Sequence, residues 1–138
     1  MNHWATRYIG IPYLAGGRDW SGVDCYGLLQ LIYRKEKGID LPDVPGVTEK
    51  SLAALCSDLV EQSKTLWTEV AEPQDGDAVG MGLQKNLHHV GVWTNADGGR
   101  VLHSWLDQSV VAETIQMLRL KGIRTIKFFQ YGCHSRNT

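Results

Sequence analysis

Between residues 25 and 37 the apolar positions Leu28, Leu29, Ile32 and Tyr33 gather near one face at helical spacing, which predicts a helix over Cys25 to Lys37. Gly38 stops it, Leu41-Pro42 forces extended chain, and Pro45 and Gly46 lengthen that loop. A second helix is predicted over Ser51 to Trp67, where Leu52, Leu55, Cys56, Leu59 and Val60 recur every three or four residues as an apolar stripe. Ahead of both, residues 10–23 are rich in turn formers (Pro12, Gly16, Gly17, Gly22), and Met1 to Ile9 reads as a short helix carrying Trp4 and Tyr8. After the turn at Glu72 to Gly76 the pattern changes to short strands: Asp77 to Met81, His89 to Thr94, Arg100 to Trp105, Ser109 to Ile115 and Arg124 to Tyr131. Asn95-Ala96-Asp97-Gly98-Gly99 supplies a hairpin turn between the second and third. Helices first and hairpin-linked strands afterwards predict an α+β fold, with a central antiparallel sheet of about five strands rather than a βαβ array.

Composition narrows the function. The 138 residues fit one domain over 1–138, with no repeat, low-complexity tract or linker, and 43% hydrophobic content supports a core without covalent staples. A net charge of −1 leaves no basic footprint for nucleic acid or an anionic membrane. No apolar run approaches the ~18 residues that span a bilayer. The polar, aromatic start lacks the apolar stretch of a secretory signal, so export by the general route is not expected. Three cysteines without paired spacing argue against a disulfide framework, and neither C-x-x-C nor H-E-x-x-H is present. No metal or other cofactor is expected.

Chemistry concentrates at Asp24-Cys25-Tyr26-Gly27-Leu28. A cysteine that follows a glycine-rich loop and opens a helix lies among unpaired backbone N–H groups, which favour its thiolate. A thiolate needs a base, and the base an orienting partner. His89 begins one predicted strand and His103 lies near the end of the next. On an antiparallel hairpin the two can share a sheet face. If the Cys25 helix packs on that face, nucleophile, base and orienter converge. The backbone N–H of Cys25 and the hydroxyl of Tyr13 are candidate oxyanion donors. Alternation puts His88 and His89 on opposite faces, and spacing alone does not choose between them. Cys56 and Cys133 read as core or inert residues, and His3 and His134 as solvated ones. A metal site from Cys25, His88, His89 and His103 lacks any familiar ligand spacing. Trp20 and Trp93 are read either as core or as cleft walls.

The stretch Tyr8 to Leu28 (YIGIPYLAGGRDWSGVDCYGL) resembles the NlpC-type family of cell-wall cysteine peptidases. Gly38-Ile39-Asp40-Leu41-Pro42, Asp75-Gly76-Asp77-Ala78-Val79, His89-Val90-Gly91-Val92-Trp93 and Val101-Leu102-His103-Ser104 are similar to that family's later motifs, in the same order. The resemblance implies a papain-like fold whose nucleophile helix packs on the antiparallel sheet. It implies Cys25 as nucleophile, His89 rather than His88 as base, and His103 as orienter. It also implies Tyr13 near the oxyanion and Asp24 holding the substrate's amine. The implied reaction is cleavage of peptidoglycan stem peptides at the bond between D-γ-glutamate and a diamino acid. Tyr26 departs from the family's usual serine and, beside the nucleophile, is expected to narrow or redirect the acyl pocket. An aromatic there, in a minimal domain without a signal peptide, resembles the versions attached to phage tails. The expected partners are then tail-tip or hub proteins, and the expected place is a virion tail acting on the bacterial wall. The rival readings are a structural tail docking subunit, a secreted antibacterial amidase effector and an acyltransferase using the same thioester.

Overall fold

The computed structural model describes residues 3–42, 67–84, 87–105 and 108–132. In chain order its elements are a 3-10 turn (Trp4–Arg7), β1 (Arg18–Asp19), β2 (Gly22–Val23), α1 (Cys25–Ile32) and a π turn (Tyr33–Lys37). Then come β3 (Trp67–Val70), β4 (Ala78–Gly82), β5 (His89–Thr94), β6 (Arg100–Ser104), β7 (Val110–Glu113), α2 (Ile115–Leu120) and β8 (Thr125–Tyr131). The class is α+β, as expected. The main sheet is antiparallel throughout, in the order β3-β8-β4-β5-β6-β7.

Among the described residues the main sheet has six strands, against the expected five or so. The addition is β3, whose first residue, Trp67, the sequence pattern places at the end of the second helix. Trp67 instead pairs with Tyr131 across the sheet and packs edge-on against Tyr33 at 5.6 Å. The rest of that predicted helix, residues 51–66, lies outside the described residues, as do Pro45, Gly46, Cys56, Cys133 and His134. The expected helix over Met1 to Ile9 is the short 3-10 turn, with the His3 ring accepting from the Ala5 N–H. The strand expected to run to Ile115 ends at Glu113. There Thr114 turns the chain and caps α2, its hydroxyl accepting from the Met117 N–H at 3.1 Å.

The sheet is covered on both faces. On one, Leu28, Leu29 and Ile32 of α1 pack with Ala78, Val90, Val92, Leu102 and Phe129. On the other, Leu118 of α2 and Ile123 pack with Val79, Met81 and Val101. Each strand thus divides its alternate residues between two cores. α1 ends as the periodicity predicts. Its last turn widens into the π turn, and Gly38 closes it in the left-handed region at φ 67. The Tyr33 hydroxyl donates to the Gly76 carbonyl at 2.6 Å, tying this end of α1 to the turn before β4.

Candidate functional site

The loop before α1 is organised by one carboxylate. Asp24 is buried and caps the helix, accepting from the Gly27 N–H at 2.7 Å. Its other oxygen accepts from the Gly16 N–H at 2.9 Å, and Arg18 Nη1 lies 2.8 Å from Oδ1. A methyl at Gly27 would lie 1.9 Å from the Gly17 carbonyl oxygen, so only glycine permits this approach of loop to helix. These contacts hold Cys25 as the first residue of α1. The loop is fastened to the sheet as well, because the Ser104 hydroxyl donates to the Val23 carbonyl at 2.9 Å.

His89 and His103 meet as the hairpin spacing predicts: His89 Nε2 and His103 Nδ1 are 3.0 Å apart. They do not lie on the face that α1 covers. His89 pairs across the sheet with Met81, and His103 alternates with Leu102, which places both imidazoles on the α2 side. The expectation that the Cys25 helix shares their face is therefore corrected. The Cys25 sulfur lies against the β5 backbone, where the β5–β6 ladder opens. Ladder pairing stops at Val92 and Leu102, short of His89 and Ser104. The N–H of Val90, next to His89, is then directed at the Cys25 sulfur instead of at a strand partner.

Burial disfavours charge on the thiol and on both imidazoles. Cys25, His89 and His103 are 2%, 4% and 1% exposed. Burial pushes the Cys25 thiol up to about 12, and neighbouring Asp24 adds to this; the N–H groups of Val90, Tyr26 and Cys25 itself pull the other way. The helix-terminal donors thus act in the direction the sequence suggests, but desolvation outweighs them and favours the thiol. Burial also holds His89 well below the ordinary histidine value, with His103 and His88 contributing. His103 lies below that value too, chiefly through burial, against the opposing pull of Glu113.

Three further residues complete this cluster. His103 Nε2 lies 2.7 Å from Glu113 Oε1, and Lys121 Nζ lies 2.6 Å from Glu113 Oε2. Trp105 packs edge-on against both rings, at 4.5 Å from His89 and 5.8 Å from His103. Sequence reading missed all three. A signal for Glu113 existed: it is the acid in an otherwise apolar strand, and its register opposite Val101 puts it on His103's face.

The other candidates fall elsewhere. Tyr13 is half-buried, and its backbone bridges to Val23, two residues before the thiol. Asp24 is engaged within the loop, as described. Tyr26 is buried beneath Arg18, and its hydroxyl donates to the Pro42 carbonyl at 2.5 Å, so it anchors a loop. His88 Nε2 accepts from the Leu83 N–H at 2.9 Å, away from the cluster. His3 is not simply solvated: it caps the first turn and lies 3.8 Å from Asp75. Trp20 is exposed and stacks on Tyr8 at 4.9 Å, whereas Trp93 packs on Phe128 near the far end of β5.

A helix-borne thiol at the opening of a sheet that carries two bonded imidazoles belongs to the class of thiol hydrolase domains. The NlpC/P60 family model matches residues 10–123, and the chain belongs to that family. It is 31% identical to Protein P54 of Enterococcus faecium over 100 residues, 72% of this chain and 16% of that protein. It is 49% identical to the Gamma-DL-glutamyl hydrolase of Bacillus subtilis (strain 168) over 39 residues, 28% of this chain and 9% of that protein. The chain therefore spans only a small part of these curated relatives' length. The crystal structure of the NlpC/p60 domain of peptidoglycan hydrolase SagA matches with a TM-score of 0.59 at 26% identity, over 90% of this chain and 91% of that one.

Proposed function

We propose that this domain is a cysteine endopeptidase that cleaves peptidoglycan stem peptides. The observation that carries the reading is the 3.0 Å contact between His89 and His103 at the strand opening where the Cys25 thiol lies against Val90. His103 occupies Nε2 of His89, which leaves Nδ1 to take the thiol proton. Burial disfavours a separated thiolate–imidazolium pair, so proton transfer accompanies attack. The sulfur bonds to the scissile carbonyl carbon, and N–H groups at the start of α1 receive the developing oxyanion. The C–N bond then breaks as His89 returns the proton to the leaving amine. Water, deprotonated by the same nitrogen, releases the acyl half from the thioester and regenerates the thiol.

For the bond, we propose the D-γ-glutamyl link to a diamino acid: similarity to a gamma-DL-glutamyl hydrolase supports the γ-glutamyl side, and the diamino acid rests on the family resemblance alone. For the setting, we propose a phage tail with tail-tip or hub partners, where cleavage opens the wall for genome delivery; the support is the resemblance carried by Tyr26. Burial of the thiol favours one second reading, a tail docking module that keeps the peptidase fold. One experiment separates the two. Mass spectrometry of muropeptides after incubation with wild type and with Cys25→Ala identifies the new termini if the domain is a peptidase. Release by the wild type and none by the folded variant supports the endopeptidase. No release by either supports the docking module, and release by Cys25→Ala rules out the proposed nucleophile.

A further inference from the structure

The hydrogen-bonded chain does not end at the second histidine. It continues across the α2 face of the sheet, from His89 on β5 to His103 on β6, Glu113 on β7 and Lys121 just beyond α2. We propose that Glu113 is a positioning residue that fixes the tautomers of both imidazoles, and so leaves the lone pair of His89 on Nδ1. This inference rests on the peptidase reading and deepens it.

Donor and acceptor inventories decide where each proton sits. An ionised carboxylate only accepts, so His103 Nε2 must carry the hydrogen in its 2.7 Å contact with Oε1. A neutral imidazole has one N–H, so His103 Nδ1 then accepts. Across the 3.0 Å contact His89 Nε2 must therefore donate. The bare nitrogen of a neutral His89 is then Nδ1, the atom that a base facing a thiol needs. Reversing the first bond reverses each one after it, and His89 Nδ1 becomes a donor that cannot accept the proton.

The charge states fit. Burial pulls Glu113 upward, but hydrogen bonds to Lys121 and His103 outweigh it and hold the group below the ordinary carboxylate value, hence ionised. Both imidazoles are held neutral by burial. Lys121 takes the second oxygen of Glu113 and is itself 54% exposed, so the chain ends at solvent.

The test exploits the competition at residue 113. In Glu113→Gln the one amide oxygen is contested by His103 and by the charged, donor-only Lys121. The charged donor makes the stronger bond, which turns the amide NH2 toward His103 Nε2 and reverses the relay. Removing Lys121 as well frees the oxygen for His103. We expect Glu113→Gln to lower kcat about 100-fold or more at little changed KM, on the scale of a lost general base. The double variant Glu113→Gln/Lys121→Met should recover most of that loss. Nitrogen-15 NMR of the imidazoles, recorded on Cys25→Ala protein, reads the tautomers without turnover. With Glu113 present His89 should be protonated at Nε2 and bare at Nδ1, Glu113→Gln should exchange the two, and the double variant should restore them. A proton on His89 Nδ1 with Glu113 in place overturns the proposal, and so does a kcat loss without any tautomer change. Neither result touches the nucleophile assignment, which fails separately if Cys25→Ala still releases peptide.

Discussion

Asp24 separates a loop built by internal bonds from a loop built to hold substrate. The resemblance implies that its carboxylate binds a substrate amine, whereas the structure engages both oxygens within the protein. Asp24→Ala removes the N-cap of α1, worth about 1 kcal/mol. It also breaks an ion pair whose acidic half is buried. A fully buried pair broken on one side costs ~3–5 kcal/mol, but the Arg18 side chain is 22% exposed and recovers part of its hydration, so about 2 kcal/mol is the fitting figure. Gly16 is an exposed residue, so its N–H turns to water at little cost. A loss near 3 kcal/mol is therefore expected. Urea denaturation reads it as a fall in the midpoint of about 1–2 M at unchanged slope. Arg18→Met made on top of Asp24→Ala should cost less than Arg18→Met alone, since the ion pair is already gone and only contacts such as those to the Gly17 carbonyl and the Tyr26 ring remain to be lost. A loss below about 1 kcal/mol, together with a raised KM, would refute the reasoning and return Asp24 to the substrate.

Gly27→Ala should cost about 3 kcal/mol or more by thermal denaturation, because the added methyl meets the Gly17 carbonyl, a backbone atom that cannot swing aside. Tyr26→Ser should cost ~3–5 kcal/mol in urea, through the cavity it leaves and the lost bond to Pro42, so the usual family serine is not simply restored in this chain. Stability should peak in a window bounded by two burial effects. On the acid side the unfolded chain takes up protons near 6.5 that buried His89 and His103 refuse, so stability falls as pH drops below that value, and Glu113 adds to the loss below its ordinary 4.5. On the alkaline side the unfolded thiol ionises near 9.0 while the native one waits until about 12, so stability falls as pH rises above 9.0. Urea midpoints measured across pH check both limbs, and Cys25→Ala should reduce the alkaline one.

Local pattern made much of this legible. The period of three and four around Leu28, Leu29 and Ile32 marks α1. Strand β5 runs over His89–Thr94 as its alternation suggests, and the Asn95 to Gly99 turn joins it to β6. The pairing of His89 with His103 follows from hairpin spacing alone. What the pattern hides is tertiary. Trp67 follows an apolar helical stripe, and only its ring contacts with Tyr33 and Tyr131 and its pairing in the sheet make it a strand residue. Alternation reports that His89 and His103 share a face but not that α1 covers the opposite one, because that depends on which apolar set the helix buries. The neutral thiol is hidden for a similar reason: helix-end donors can be read locally, whereas desolvation is set by everything packed around the sulfur. Lys121 lies eight residues beyond Glu113, and the intervening turn and α2 bring it back to the carboxylate.

The central claim is that Cys25 attacks with His89 as its base. A stem peptide carrying an electrophile in place of the scissile carbonyl tests this directly, with the modified residue located by peptide mapping and the rate compared in wild type and His89→Ala. One label per chain is expected, on Cys25, with labelling slowed about 100-fold or more by the substitution. Labelling at another residue, or a rate indifferent to His89, would contradict the account.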